Sequence, residues 1–300
     1  MILLCICNNI PLNLKKIMKK DKIALVIEGG GFKSVFSAGV LDAFLANHFN
    51  PFDIYIGVSS GAMSLSYYLS EKYKSYFKLS NQVCINDDFL SYKHALSEEG
   101  YMNLKYLTAY AIKHNPLDLS QIKLNTKDKY FAVVATNTDN GEAVFLDPCK
   151  DNIYKCLRAT SSLPFFTKGI CKINGMNLMD GAWSDPIPAK SAIEKGATKL
   201  IVIRPHPIGY KLDGLNYLGL IAGYWWKNNP EISNKFFEEH DHYNQAVDFL
   251  TKNDTGIEIL QICPNKLLQS TVLGTGQKEL LADYHCGLEK GVDFIHNYVI

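Results

Sequence analysis

From residue 22 the chain alternates short apolar runs with segments of helical spacing. "KIALVIEGGG" (22–31) is apolar without interruption and ends in three glycines, the pattern of a strand buried on both faces and entering a loop. "SVFSAGVLDAFLANH" (34–48) then places Val35, Val40, Leu41, Phe44 and Leu45 at helical spacing. "DIYIGV" (53–58) reads as a second strand and "SGAMSLSYYLSEKY" (60–73) as a second helix. Strand, helix, strand, helix is the order of an α/β fold, and it predicts a three-layer sandwich around a mostly parallel central sheet.

Further along, residues 71–128 read as helix and loop with no catalytic signature. "KYFAVVATN" (129–137) is another strand, and "GEAVFL" (141–146) pairs with it across the turn at Asp139, Asn140 and Gly141. "NIYKCLRATSSLP" (152–164) is a helix stopped before Pro164. "GMNLMDGAWSDPIPAKSAIEKG" (175–196) predicts a strand, a glycine turn, and a helix with Pro188 in its first turn. "TKLIVIRP" (198–205) is a further buried strand, and "GQKELLADYHCGLEKGVDFIHNY" (276–298) a closing amphipathic helix. The expected organisation is a single domain over 18–300 whose C-terminal part, from about residue 210, is helical. Residues 1–17 are expected to lie outside the fold as an extension. Their apolar run lacks a preceding positive region and breaks at Asn8 and Asn9, which makes a poor signal peptide. No run reaches the roughly 18 uninterrupted apolar residues of a membrane-spanning helix.

Composition narrows the function classes. The 300 residues are 47% hydrophobic and 20% charged, with a net charge of +1. That balance predicts neither nucleic-acid binding nor general adhesion to anionic membranes. The eight cysteines (5, 7, 84, 149, 156, 171, 263 and 286) form no C-x-x-C pair, so they read as reduced thiols of a cytoplasmic protein. "HDH" at His240 and His242 offers at most half a metal site, and with Glu238, Glu239 and Asp241 alongside it fits a solvated face better. No metal and no cofactor is expected.

The candidate chemistry begins at Gly57-Val58-Ser59-Ser60-Gly61, a G-x-S-x-G between a strand and a helix. In a nucleophile elbow of this kind the turn strains the serine backbone, and the flanking glycines let strand and helix approach. The hydroxyl then projects at a helix N-terminus that favours developing negative charge. "EGGGFKSVFSAG" (28–39) supplies the second feature, a glycine loop able to present backbone N–H groups to an anion. It is no dinucleotide fingerprint, because Ser34 stands where the third glycine would be, and no Walker loop is present. An oxyanion hole is the reading that an elbow serine calls for. For the base, His206 and His285 satisfy the order serine, acid, histidine, with His206 in "RPHPIG" the better placed. Asp180, which ends an apolar strand before Gly181, is the stronger candidate, since α/β sheets place their sites at strand ends.

Taken together, these segments resemble the patatin-like phospholipases, which use a Ser–Asp dyad without histidine. "GGGFKSVFSAG" is similar to that family's oxyanion loop, "GVSSG" to its elbow, "RATSSLP" (158–164) to a block near the dyad, and "DGA" (180–182) to its aspartate motif. The resemblance covers about residues 22–205, and "LLADYHCGLEKGVDFI" looks like the tail of a bacterial subgroup. It implies Ser59 as nucleophile, Asp180 as general base, and Gly29, Gly30 and Gly31 as the oxyanion hole. Lys33 takes the basic position of the loop, and Lys33 and Arg158 are candidate substrate-binding residues. Ser34 departs from the pattern at a place that is usually glycine, and would be strained if a positive φ were required there.

The implied activity is acyl transfer in two steps on phospholipids, lysophospholipids or other acyl esters. "LNYLGLIAGYWWKN" (215–228) is expected to be a packing helix or else a lid or acyl-chain wall, and its aromatic end fits peripheral contact with a membrane. Two rivals stay open: a His206-dependent esterase, and a non-catalytic lipid-binding module on the same scaffold.

Overall fold

A computed structural model describes residues 21–94, 100–164, 166–167, 170–214, 217–252 and 254–298. The extension expected at 1–17 lies outside the described residues, as do Leu215 and Asn216 of the aromatic segment. The strands are β1 (Ile23–Ile27), β2 (Ile54–Val58), β3 (Tyr130–Asn137), β4 (Ala143–Leu146), β5 (Cys171–Ile173), β6 (Met176–Asp180), β7 (Lys199–Ile203) and β8 (Glu258–Ile262). The first helices are α1 (Val35–Ala46), α2 (Ser59–Leu69), α3 (Ser75–Val83), α4 (Leu104–His114), α5 (Leu119–Asn125) and α6 (Ile153–Thr160). They are followed by α7 (Ala189–Glu194), α8 (Tyr217–Trp225), α9 (Pro230–Phe237), α10 (Glu239–Lys252) and α11 (Gln277–Asn297).

The strands form one sheet in the order β5-β6-β3-β2-β1-β7-β8, with β4 also on β3. β3, β2, β1, β7 and β8 are parallel, while β4, β5 and β6 join antiparallel. Each central strand is buried on both faces because helices cover both. Leu25 and Ile27 pack with α1, α2 and α11 on one side, and Ala24 and Val26 pack with α7 and α10 on the other. This two-sided burial is why β1, β2 and β7 read as continuous apolar runs.

The register of β3 positions the site. Val133 and Val134 pair with β2 and, on their other side, with β4; Ala135 pairs with Val144 of β4 and with Asp180 of β6. A strand has two edges, so β2 and β6 share the edge opposite β4. β2 ends at Val58 opposite Val134, and β6 takes over one residue later at Asp180 opposite Ala135.

Two strands escape the sequence pattern. β5 has only three residues, and β8 is a half-exposed edge strand inside the part expected to be helical. The "helical" C-terminal part therefore also completes the sheet. Pro188 caps α7 from the position just before it. Among the described residues, no helix is long and apolar enough to cross a membrane. None of their His, Cys, Asp and Glu side chains form a metal-holding group of three or more, and His240 and His242 face Asp241 and Glu238.

α1 is buried from Val35 to Phe44 because α11 lies along its outer side. The two backbones approach so closely that a Cβ on Gly39 would collide with the Tyr284 carbonyl, and one on Gly287 with the Phe36 carbonyl. Gly287→Val should therefore cost about 2–3 kcal/mol through overpacking. The loss would be read as a lower urea midpoint at unchanged slope, and an unchanged midpoint would refute this close packing.

Candidate active site

β2 delivers Ser59 to the first position of α2 with a φ of +52°, in the left-handed region that non-glycine residues seldom occupy. Three features hold it there. The Ser59 N–H donates to Thr160 Oγ1 (2.7 Å), and that hydroxyl donates in turn to the Val134 carbonyl (2.5 Å). Gly61 sits against the Glu28 backbone, where a Cβ would collide with the Glu28 carbonyl. Thr160 belongs to the "RATSSLP" block, so that motif's structural part is to brace the elbow.

Asp180 arrives at the end of β6 and is 1% exposed. Ser59 Oγ donates to Asp180 Oδ2 at 2.6 Å, and the Ala182 N–H donates to Oδ1 at 2.9 Å. Burial pushes the carboxyl up to about 7, the nearby Glu239 charge adding to it while the two hydrogen bonds pull it back. A carboxylate poised near neutrality beside a serine hydroxyl can accept its proton.

The glycine loop follows β1 and opens a short 3-10 turn (Gly31–Ser34) leading into α1. Gly31 has φ +59°, and a Cβ there would collide with the Val272 carbonyl, so glycine is required. The Gly30 N–H is donated to Ser60 Oγ (3.2 Å), whereas those of Gly31 and Phe32, first in the turn, meet no acceptor among the described residues. At Ser34 the condition for strain is not met: its φ is −67°, so serine fits there without cost. Its hydroxyl instead lies 2.7 Å from Ser60 Oγ, tying the loop to the start of α2.

Ser59, Asp180, Gly29, Gly30, Gly31 and Lys33 line one cavity of about 350 Å³. Arg158 does not: it stands in the last turn of α6 away from the lining, and among the described residues its side chain has no hydrogen-bond or ion-pair partner. His206 lines the cavity, but its ring nitrogens face Lys33 Nζ (3.1 Å) and Glu28 Oε1 (2.8 Å), and Ser59 Oγ hydrogen-bonds Asp180 instead. Most of the aromatic segment forms α8, and the residues from 219 to 225 are absent from the lining. Ala222 and Trp226 pack behind Trp183, which does line the cavity, while Tyr224 and Trp225 are 69% and 74% exposed.

Sequence reasoning missed the apolar wall. Tyr76, Leu79 and Val83 of α3, with Phe89, Met102 and Leu104, give the cavity its greasy side. The spacing 76, 79, 80, 83 is one helix face, a signal that marks burial without marking a site. Also missed was a buried network: Glu28 Oε2 accepts from Arg204 Nε (2.9 Å), and Glu28 Oε1 accepts from Tyr243 Oη (2.8 Å) and faces His206. The available hint was a glutamate closing a fully apolar strand, which demands a buried partner.

The family model described as "Patatin-like phospholipase" matches residues 25–193, so it contains the elbow, the loop and Asp180, and a second model, "Domain of unknown function (DUF6363)", matches 229–299. The chain belongs to the patatin-like phospholipases. It is 30% identical to "Uncharacterized protein YjjU" of Escherichia coli (strain K12), over 93% of this chain and 78% of that one. It is also 28% identical to "Patatin-like phospholipase domain-containing protein 7" of Rattus norvegicus and 24% to "Lysophospholipase NTE1" of Candida albicans. These matches span 72% and 71% of this chain but only 16% and 15% of those longer proteins. VipD from Legionella pneumophila shares the fold, with a TM-score of 0.51, 13% identity, and coverage of 92% of this chain and 67% of that one.

The brace on the elbow can be tested directly. Thr160→Val keeps the shape but leaves the part-buried Ser59 N–H and the buried Val134 carbonyl without this partner, at an expected cost of about 1–3 kcal/mol. Thermal unfolding of the purified variant measures it. A melting temperature equal to that of wild type would mean that Thr160 does not brace the turn.

Proposed function

We propose that this protein is a serine acyl hydrolase acting on lipid esters, of phospholipase A or lysophospholipase type, with Ser59 and Asp180 as its dyad. The observation that carries the reading is the 2.6 Å hydrogen bond from Ser59 Oγ to a buried Asp180 whose partners leave it near neutrality. Membership of a phospholipase family, and a cavity with a polar floor and an apolar wall, support it.

In the proposed reaction Asp180 takes the Ser59 proton as Oγ bonds to the ester carbonyl carbon. The oxyanion accepts hydrogen bonds from the free N–H groups at the start of the 3-10 turn, Gly31 foremost, since the Gly30 N–H is held by Ser60. Collapse expels the alcohol, which leaves with the proton from Asp180. Water then repeats the cycle on the acyl-enzyme: Asp180 takes its proton, the carbonyl–Oγ bond breaks, and Ser59 recovers its hydrogen. No step calls for a metal. The exposed Tyr224 and Trp225 on α8 support peripheral contact with a lipid surface.

Fluorophosphonate labelling with peptide mass spectrometry tests the dyad. Label should appear on Ser59 in wild type and vanish in Ser59→Ala and Asp180→Asn. Label kept in Asp180→Asn but lost in His206→Ala would overturn the assignment and move the base to histidine.

The pH dependence follows from the Asp180 carboxyl. Only the carboxylate accepts a proton, so kcat/KM should rise with pH through about 7 and level off above it. Stability runs the opposite way. The folded value of about 7 lies above the ordinary 3.8, so folding is favoured by a protonated Asp180, and that contribution is lost as pH rises through about 7. Asp180→Asn should therefore melt higher than wild type at pH 8, with the gap closing as pH falls from about 7 toward 4. A variant that melts lower than wild type at pH 8 would contradict the buried-charge account.

A further inference from the structure

Three glycines in a row resist being fixed, since each gives up more backbone freedom on ordering than any other residue. An oxyanion hole needs the opposite, donors set in place before the charge arrives. In this protein each glycine of the loop is abutted by a different element. A Cβ on Gly29 would fall 2.9 Å from Ser59 Cβ at the elbow, and one on Gly30 would fall 3.0 Å from Pro205 Cγ beyond β7. One on Gly31 would collide with the Val272 carbonyl. The first two supports belong to the ends of β2 and β7. The third comes from the C-terminal region that the second family model matches, outside the phospholipase match at 25–193.

Val272 lies in a strap, residues 268–277, that leads into α11 and is tied down along its length. Asp283 of α11 is 3% exposed, and its carboxyl oxygens accept from the Gln269 N–H (3.0 Å) and the Ser270 N–H (2.7 Å). Leu268 and Leu273 pack on the main core. The Gln277 side-chain amide donates to the Asn81 carbonyl on α3 (2.9 Å). Between these anchors Thr271 and Gly274 close a turn. The Thr271 hydroxyl donates to the Gly274 carbonyl (2.5 Å) and accepts from the Gly274 N–H (3.1 Å). Inside that turn the Val272 carbonyl meets Gly31.

We propose that this strap of the C-terminal region is a clamp on the oxyanion loop, with Asp283 as its positioning residue. By holding the Val272 carbonyl against Gly31, it keeps the Gly31 and Phe32 N–H groups turned to the reacting oxygen. With room beside it, Gly31 would be free to leave its φ of +59°. The rigid peptide units on either side, which carry those two N–H groups, would turn with it. Neither Asp283 nor Val272 has to touch the reacting atoms for this effect. The catalytic part of the inference rests on the function proposed above; the clamping of the loop rests on the contacts alone.

The two parts can be read separately. Phe32 is the one phenylalanine in the sequence preceded by glycine. Glycine labelled with carbon-13 at the carbonyl, together with nitrogen-15 phenylalanine, therefore marks a single amide of the loop for NMR. Its resonance should move in Asp283→Ala and in Thr271→Ala, a change confined to the exposed turn of the strap. It should stay in place in Phe52→Leu, which weakens the core at the opposite end of β2. Melting curves establish that each variant is folded, and Thr271→Ala carries the test where Asp283→Ala does not fold. The catalytic part is read with decyl trifluoromethyl ketone, to which a serine adds to give a tetrahedral oxyanion, against decyl methyl ketone. The affinity ratio of the two should fall about tenfold in Asp283→Ala, less in Thr271→Ala, and hold in Phe52→Leu. On an acyl ester Asp283→Ala should lower kcat with little change in KM. A Phe32 resonance unmoved in both strap variants would overturn the clamp. A resonance that moves while the ketone ratio holds would overturn its part in positioning the donors. A trifluoromethyl ketone held as tightly by Ser59→Ala as by wild type, with the Phe32 shifts still present, would sink the proposed reaction and leave the clamp standing.

Discussion

One edge of β3 determines the site. Parallel strands of an α/β sheet bring their carboxyl ends to the same side, which is how β2 presents Ser59 and β1 presents the glycine loop. A further parallel strand on that edge would have continued alongside β2 and kept its carboxyl end level with its neighbours. β6 instead runs antiparallel and stops one residue beyond the end of β2, so the two strands meet end to end. Asp180 is the last residue of β6 and Ser59 the first after β2, and their side chains close a 2.6 Å hydrogen bond across the meeting point. Any shift in the register of β6 by one residue would turn the carboxylate to the opposite face of the sheet.

That meeting point is costly in two ways, and the surroundings compensate each. Ser59 is held at a positive φ, and the hydroxyl of Thr160 bridges its N–H to the Val134 carbonyl. Asp180 is buried without a cation, and it is accommodated by two hydrogen bonds and a raised pKa rather than by a salt bridge. Both compensations come from β3, from the last residue of α6 and from the turn after β6. The motif "RATSSLP" makes physical sense as part of this support even though Arg158 stays outside the cavity.

What the sequence made legible was local. The apolar runs of β1, β2, β3 and β7, the elbow, the glycine loop and the Asp-Gly turn are each written within a dozen consecutive residues. What stayed hidden was distributed. Glu28, Arg204, His206 and Tyr243 come together from three separate stretches of chain, and no spacing rule joins them. The apolar wall from Tyr76 to Leu107 looks in sequence like any amphipathic helix and loop. β8 is an edge strand with little of its surface buried, so its pattern never rose above that of the helices around it. Ser34, which departs from the motif, could not be settled from sequence for a different reason. A motif compares residue types, whereas the backbone there is helical and the hydroxyl has a partner in Ser60.

Two buried carboxylates sit at neighbouring strand ends in this cavity, and their environments drive them apart. Burial alone would raise both. Glu28 is nevertheless held down to about 2, because His206 and the Arg204 guanidinium more than offset its burial and the Tyr243 hydroxyl adds a further hydrogen bond. Asp180 has only a serine hydroxyl and one backbone N–H, both neutral, and rises to about 7. Opposed shifts of this kind mark a division of roles between acids that share a site. A carboxylate that never protonates at working pH is suited to holding a histidine and a cation in place. One that titrates near neutrality is suited to taking a proton and giving it back. The same low-dielectric cavity supports both, and the difference between them reduces to whether a histidine and a guanidinium, or only a serine hydroxyl and a backbone N–H, lie within hydrogen-bonding distance.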